Sequence, residues 1–225
     1  MPASPWFTAV VALFVTTLLI SNVIAVKLFA LGPLVLPAGM VIFPISYIVG
    51  DVLTEVYGYA RARQVIWLGF GCNLIAVVVI EIALVLPPAP FWAPNQAAYE
   101  TILGFTPRLL VASFIAYLIG EFANSAVLAR MKIVTRGRYL WTRTIGSTVV
   151  GEGLDSAVFI TIAFFGIMPH GELLPAIATQ WLFKTAYETL ATPFTYLVVN
   201  FLKRVEGVDV YDHTTPLNPF LVSEP

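Results

Sequence analysis

Four pairs of polar side chains recur at one-turn spacing inside stretches that are otherwise apolar: Asp51 with Glu55, Glu121 with Asn124, Glu152 with Asp155, and Lys184 with Glu188. Residues three or four apart share one face of a helix, so each pair would point the same way. Tyr47 joins Asp51 and Glu55 on one such face, Ser156 lies beside Glu152 and Asp155, and Gln180 joins Lys184 and Glu188, with Trp181 and Tyr187 adjoining. Several carboxylates, one lysine, an amide and aromatics suit a planar, donor-rich solute. A guanine-type edge offers a ring N–H and an exocyclic amine to one carboxylate, and Tyr47, Trp181 and Tyr187 could stack on its flat face. The same residue types would also suit a cation, so they do not choose between the two.

The surroundings make this grouping expensive. With Glu81 and Arg143 there are nine ionisable side chains in segments that read as membrane spans. A charge at the centre of a spanning helix costs about 2.5–3.5 kcal/mol. A carboxylate that deep must be protonated, paired or wet. A polar site between helices, entered by a solute or ion, explains the set better than chance does. Simpler roles stay open: Asp51 and Glu55 as glue between helices, with Glu55 reaching the interface, Lys184 as a structural partner of Glu152 and Asp155, or Lys184 paired locally with Glu188. Glu81 and Arg143, nearer their span ends, are expected to snorkel to the interface. Asn73, uncharged, is expected to pack between helices.

The chain has 225 residues, 59% hydrophobic and 11% charged, with mean hydropathy +0.87. A soluble domain carries roughly 25% charged residues, so a single membrane domain over 1–225 is the expectation. The net charge of −1 predicts no nucleic-acid partner. Cys72 is alone and reads as a small core residue, and His170 and His213 are isolated in loops, which suggests no metal site. The N-terminal apolar run has no basic residue before Trp6 and is longer than a signal peptide's core, so it reads as the first span. No Walker A sequence, HExxH or nucleophile elbow is present, which leaves an enzyme reading without a catalytic set.

A span needs about 20 mostly apolar residues. Candidates fall near 7–29, 38–57, 63–86, 108–131, 140–166 and 174–202, each taken as helix because lipid offers no partner to open backbone groups. Pro44 and Pro193 are expected to kink their helices. With the N-terminus in the cytoplasm, one side holds Arg61, Arg63, Arg130, Lys132, Arg136, Arg138, Lys203 and Arg204 and the other only Lys27 and Arg108, eight against two. That bias places both termini, and a tail over 203–225, in the cytoplasm. The proline-rich segment 87–107 would lie outside as a connector or a lid, with Asn95 capping a short helix through Ile102 and with Phe91 and Trp92 as interfacial anchors. A faint repeat pairs Ser21–Lys27 with Asn124–Arg130 and Gly50-Asp51 with Gly151-Glu152. Three spans per half would invert the two copies, a common plan in secondary transporters with the solute at their interface.

The string FPISYIVGDVLTEVYGYARAR (43–63) resembles the signature of the queuosine precursor transporter family, earlier labelled vitamin uptake transporters. ASFIAYLIGEFANSAVLARMK (112–132), GSTVVGEGLDSAVFITIAFFG (146–166) and FKTAYETLATPFTYLVVNFLKR (183–204) are similar to that family's pattern, and VYDHTTPLNPF (210–220) is similar to the ending of its longer members. The resemblance implies a six-helix bundle in the bacterial inner membrane and uptake of 7-deazaguanine precursors of queuosine such as preQ0 and preQ1, with queuine for some members. It also implies likeness to the substrate-binding subunits of energy-coupling-factor transporters, which work with an ATPase module. The positions it carries are Asp51, Glu121, Asn124, Glu152, Asp155 and Lys184; some members of the family have an amide or a non-acidic residue at the positions of Glu55, Glu121 and Glu152, so the resemblance speaks more for Asp51, Asp155 and Lys184. The expected roles are Asp155 and Glu152, or Glu121, accepting from the guanine-like edge, Lys184 setting the charge and reaching the exocyclic oxygen, and Asp51 lining the exit or gating. Protonation of a buried carboxylate would couple uptake to a proton gradient. An ATP-driven binding subunit and a cation transporter are the alternatives; the first is weakened because span 1 lacks a small-xxx-small docking stripe. Small residues along the spans are compatible with a homodimer.

Overall fold

The computed structural model describes residues 4–24, 27–31, 34–104, 107–167 and 169–221. Seven α-helices dominate these residues: α1 (Pro5–Ile24), α2 (Phe43–Val52), α3 (Tyr59–Val85), α4 (Gln96–Leu103), α5 (Pro107–Val134), α6 (Leu140–Phe164) and α7 (His170–Glu206). Between α1 and α2 lies a small antiparallel hairpin, β1 (Leu28–Leu31) and β2 (Leu34–Pro37), with Leu28 opposite Pro37 and Leu31 opposite Leu34. The expected span over 7–29 therefore ends early, at Ile24. The two short apolar runs on either side pair with each other instead of extending the helix.

Among the described residues four helices are long and apolar enough to cross a membrane: α1, α3, α5 from Leu110, and α6. The remaining two expected spans are helical but differ in kind. The 38–57 segment opens with a 3₁₀ turn at Ala38–Val41, becomes α2 at Phe43, and closes with a π turn at Leu53–Tyr57. Pro44 does not kink it. Proline falls in the first turn of α2, where its missing N–H costs no hydrogen bond. α7 runs unbroken for 37 residues, passing through Pro175 and Pro193. It carries Lys184 and Glu188 on one side while Leu182, Leu190, Phe194 and Leu197 stand exposed on another. Exposed apolar side chains also line α3 at Ile75, Val79 and Ile82. Such faces suit lipid, not water.

The core is built where α1, α2 and α3 meet, from Phe14, Leu18, Val49, Val52, Val56, Ala62 and Ile66 with Tyr117 of α5. Asn22 on α1 donates to Asn73 on α3 at 3.1 Å, so Asn73 packs between helices as expected. Cys72 is half-buried. The short helix expected after Asn95 is α4, but Asn95 supplies no side-chain cap to it. At one end of the molecule the start of α1 touches the end of α7, with Ser4 Oγ donating to Glu206 Oε1 at 2.7 Å. Phe7 meets Tyr57 edge-on there, with Arg61 over the Phe7 ring. At the other end the Arg108 guanidinium of α5 donates to the carbonyls of Ile162 and Phe165, both at 2.5 Å, and closes the C-terminus of α6.

Candidate functional site

Three buried acids each follow a glycine directly: Gly50-Asp51, Gly120-Glu121 and Gly151-Glu152. The glycines decide how near the helices come. A Cβ at Gly151 would sit 2.7 Å from Asn124 Cβ and 3.0 Å from the Gly120 carbonyl oxygen. One at Gly120 would meet Asp155 Cβ at 2.8 Å and the Tyr47 hydroxyl at 3.0 Å, and one at Gly50 would meet Glu121 Oε2 at 3.2 Å. Real Cβ atoms essentially never approach as closely as the contacts at Gly120 and Gly151, so α5 and α6 pack this tightly because those two positions lack side chains, and the absence of one at Gly50 eases the approach of α2.

The convergence gathers one polar cluster. Tyr47 and Asp51 come from α2, Glu121 and Asn124 from α5, Glu152 and Asp155 from α6, and Lys184 and Glu188 from α7, all of them buried. Asn124 Nδ2 donates to Asp51 Oδ1 at 2.7 Å. Lys184 Nζ lies 2.9 Å from Glu152 Oε2 and donates to Asp155 Oδ2. The alternative local pairing of Lys184 with Glu188 is not the arrangement seen. Lys184 turns to α6, and Glu188 is a close neighbour of Asp51 and Thr148. Among the described residues, both carboxyl oxygens of Glu121 are buried without a hydrogen-bond partner, as are Asp51 Oδ2, Glu188 Oε1 and Ser156 Oγ. Buried polar atoms in a native fold are nearly always satisfied, so a convergent set of unsatisfied acceptors marks a place built for something else to donate.

Two of the expected site residues lie apart from this set. Trp181 is half-buried on the flank of α6, where its indole N–H donates to the Val149 carbonyl at 2.9 Å and its ring covers Gly153. Gln180 is half-buried one turn before Lys184. Thr148 and Gly120 adjoin this cluster and are not among the residues the sequence singles out. The signal for Thr148 was its i, i+4 spacing to Glu152, and the signal for Gly120 was the third Gly–acid dipeptide.

A second ionic cluster sits one helical turn further along the π turn of α2, centred on Glu55, which is fully buried. Arg143 grips it with Nη2 to Oε1 at 2.7 Å and Nε to Oε2 at 3.2 Å, and Lys203 Nζ adds a contact to Oε1 at 2.7 Å. Lys132 Nζ is 3.7 Å from Oε1 and donates to the Glu55 carbonyl at 2.5 Å. Lys132 and Lys203 share Asp209 Oδ1, at 2.6 and 2.9 Å. Burial opposes ionisation of Asp209, but hydrogen bonds and charge from the two lysines win and hold its carboxyl below the usual value. The expectation that Arg143 and Glu55 reach the interface is thus corrected. Arg143 is 1% exposed, its fork fitted to Glu55 and its remaining donors taken by Thr135 Oγ1 and the Arg138 carbonyl. Glu55 does serve as glue between helices.

The chain was compared with known proteins. Residues 37–198 match the family model described as "Putative vitamin uptake transporter". The chain is 33% identical over 177 residues to the "Probable queuosine precursor transporter" of Bacillus subtilis, an alignment covering 78% of this chain and 77% of that one. It is 25% identical over 127 residues to the protein of the same name from Haemophilus influenzae, covering 56% and 51% of the two chains. It is 27% identical over 123 residues to the "Queuosine precursor transporter" of Escherichia coli, covering 55% and 52%. The chain thus spans about half the length of the last two. No solved structure matches. A family match over most of the chain, together with a relative one-third identical across three quarters of both sequences, makes this chain a member of the queuosine precursor transporter family of multi-pass membrane proteins, which also goes by the name of vitamin uptake transporters.

Proposed function

We propose that this protein carries 7-deazaguanine precursors of queuosine across the bacterial inner membrane, and that the cluster around Glu121 binds them. The observation that carries the reading is the set of buried, unsatisfied acceptor atoms at Glu121, Asp51 and Glu188 in a chain whose relatives are named for this solute. A deazaguanine edge brings what those atoms lack, namely a ring N–H and an exocyclic amine. Asp155 and Glu152 are already held by Lys184. Glu121, with both oxygens open, is the better acceptor for the two parallel donors of the base. Tyr47 adjoins it and offers an aromatic face, and Lys184 fixes the acids of α6 and lies within reach of an exocyclic oxygen.

Six crossings follow from the same reading: α1, α2 with its π turn, α3, α5, α6 and α7. α2 and α7 qualify because their polar faces turn to the cluster, while α7 presents Leu182, Leu190, Phe194 and Leu197 on an exposed apolar face. The lysine and arginine bias then puts both termini in the cytoplasm. The repeat pairing Gly50-Asp51 with Gly151-Glu152 brings one acid from each half to the shared centre, as an inverted-repeat transporter requires. Asp51 and Glu188 are two neighbouring buried carboxyl groups, and two like charges that close are relieved when one of them takes up a proton. We place proton coupling there.

The test is uptake by cells that cannot make queuosine and lack their own importer, supplied with preQ0, preQ1, queuine or guanine and read by queuosine in their tRNA. Expression of this chain should restore the modification from a deazaguanine at concentrations where cells without it fail. Equal modification with and without the chain, for every base offered, overturns the proposal.

A further inference from the structure

A site closed this tightly must open, and the structure shows what holds one end shut. Tyr47, Asp51, Glu121 and Glu152 are each at most 2% exposed. Toward the end carrying both termini, the next layer after the acids is Thr54 of α2 with Ser125 of α5, joined at 3.1 Å and both fully buried. Beyond it lies the Glu55 cluster, and beyond that the segment after α7 folds back over the helix ends.

That segment is attached by specific bonds. Val210 N donates to the Val56 carbonyl of the π turn at 3.2 Å. Asp212 Oδ2 accepts from Tyr59 N at 2.9 Å and satisfies one of the free N–H groups at the start of α3. Gly58, at φ 84°, leaves room for Val210, whose Cγ1 is 2.6 Å from where a Cβ would stand. The chain then climbs α3 along one face. Tyr59, Arg63 and Trp67 sit at i, i+4 and i+8 and hold successive tail carbonyls: Tyr59 Oη on Leu217 at 3.0 Å, Arg63 Nη1 on Pro216 and Asn218 at 3.1 and 2.9 Å, and Trp67 Nε1 on Pro219 at 2.8 Å. Arg63 is 2% exposed, so a released tail leaves a guanidinium donor unmatched.

We propose that residues 208–220 form a strap and that the Glu55 cluster forms a lock, together making the gate on the terminus-bearing side of the solute site. The lock ties the ends of α5, α6 and α7 to one carboxylate on α2. Asp209 links that lock to the strap through Lys132 and Lys203. The π turn is the element that can move. It carries an extra residue in its turn, it ends at a glycine, and it joins Asp51 in the solute site to Glu55 in the lock. A shift of this turn that breaks Glu55 from Arg143 also displaces Asp51, so solute and gate act on one segment. The proposal rests on the transporter reading for its purpose, but its test needs no solute.

The test places a thiol behind the gate. Ser125→Cys, in the full-length chain in detergent, is reacted with a charged thiol reagent and followed by mass spectrometry, with Cys72 as an internal reference. The strap is weakened by Tyr59→Phe with Trp67→Phe, which deletes two of its hydrogen bonds and keeps an aromatic ring at each position. Labelling at position 125 should be slow with the strap intact. It should rise roughly tenfold or more in the double variant, the effect of losing two ordinary hydrogen bonds, with Cys72 unchanged. Asp209→Asn should raise it as well. An unchanged rate at position 125 in both variants overturns the gate, and so does an equal rise at Cys72, which reports general loosening. A Glu55→Gln variant that labels no faster also counts against the lock. Failure of the uptake test with these labelling results intact would remove the solute assignment and leave the gate.

Discussion

Glu121→Gln separates a solute acceptor from a structural acid. Both Glu121 oxygens lack hydrogen-bond partners among the described residues, so the substitution breaks no hydrogen bond and removes a buried ionisable group. The protein should be as stable as the parent or more so. Binding should suffer badly. A carboxylate can accept from the ring N–H and exocyclic amine together, and each charge-assisted bond is worth about 1.5–3 kcal/mol. Glutamine keeps one acceptor and presents an NH₂ group to a donor. Losing one bond outright and weakening the other costs about 3 kcal/mol, or roughly a hundredfold in Kd. Asp155→Asn should behave differently, because Asp155 is bonded to Lys184. Breaking one partner of a buried pair costs about 3–5 kcal/mol of stability, so both stability and binding should fall. Calorimetric titration with preQ1 and thermal unfolding of each variant in detergent supply the two numbers. A Glu121→Gln protein that binds preQ1 as the parent does, or that loses several kcal/mol of stability while Asp155→Asn loses none, would refute the assignment of roles.

Gly151→Ala puts a methyl 2.7 Å from Asn124 Cβ, which should cost about 1–3 kcal/mol by overpacking and stretch the Asn124–Asp51 bond; thermal unfolding and preQ1 affinity should both fall. Arg143→Leu leaves Glu55 buried with its bidentate partner gone and should destabilise the protein by about 3–5 kcal/mol, checked by denaturant or thermal unfolding, with the Glu55→Gln/Arg143→Leu double variant recovering part of that loss. The low-lying carboxyl of Asp209 gives a pH signature. Because its folded value is depressed, its contribution is complete above the ordinary aspartate value of about 3.9 and is lost as pH falls through the folded value. Trp67 fluorescence should therefore hold steady from neutral pH down to about 4 and report strap release below it, and Asp209→Asn should be released already at neutral pH.

The helices and the acids of the site were legible because both leave a periodic mark. Apolar runs of span length predicted α1, α3, α5 and α6, and one-turn spacing placed Asp51, Glu121, Asn124, Glu152, Asp155 and Lys184 on faces that do meet. Spacing could not choose partners between helices. That choice depends on how closely helices approach, set here by Gly50, Gly120 and Gly151, and a glycine's meaning depends on what lies across from it. For the same reason Lys184 could be read as the partner of Glu188, its neighbour in sequence, when its carboxylates lie on α6. Arg143 near a span end invites the reading of a snorkelling side chain. Only the fold puts Glu55 opposite it, 88 residues away in sequence. The start of the hairpin, Leu28 and Phe29, reads as the end of the first span because apolar strands and apolar helices share composition, and the rest of it lies in the connection between the first two expected spans. The strap was unreadable, since its bonds use backbone carbonyls that carry no residue-type signal.

The charges of the two clusters explain why they lie side by side. Around Glu55 there are three cations, Arg143, Lys132 and Lys203, against two carboxylates, Glu55 and Asp209, a formal excess of one positive charge. Around Glu121 there are five carboxyl groups, Asp51, Glu121, Glu152, Asp155 and Glu188, against the single ammonium of Lys184. The two groups meet on α2, with Asp51 and Glu55 about 6 Å apart along the axis. A positive lock beside an acid-rich site stabilises the site while the gate is closed, because opposite charges at that range in a weakly screening interior attract by several kcal/mol. Opening the lock removes that support and must be balanced by protons or by a donor-rich solute filling the site. The gate should therefore open more readily when the site is occupied. Deazaguanine binding should accelerate labelling of Ser125→Cys, and in Glu121→Gln, where binding fails, the same base should leave the labelling rate unchanged.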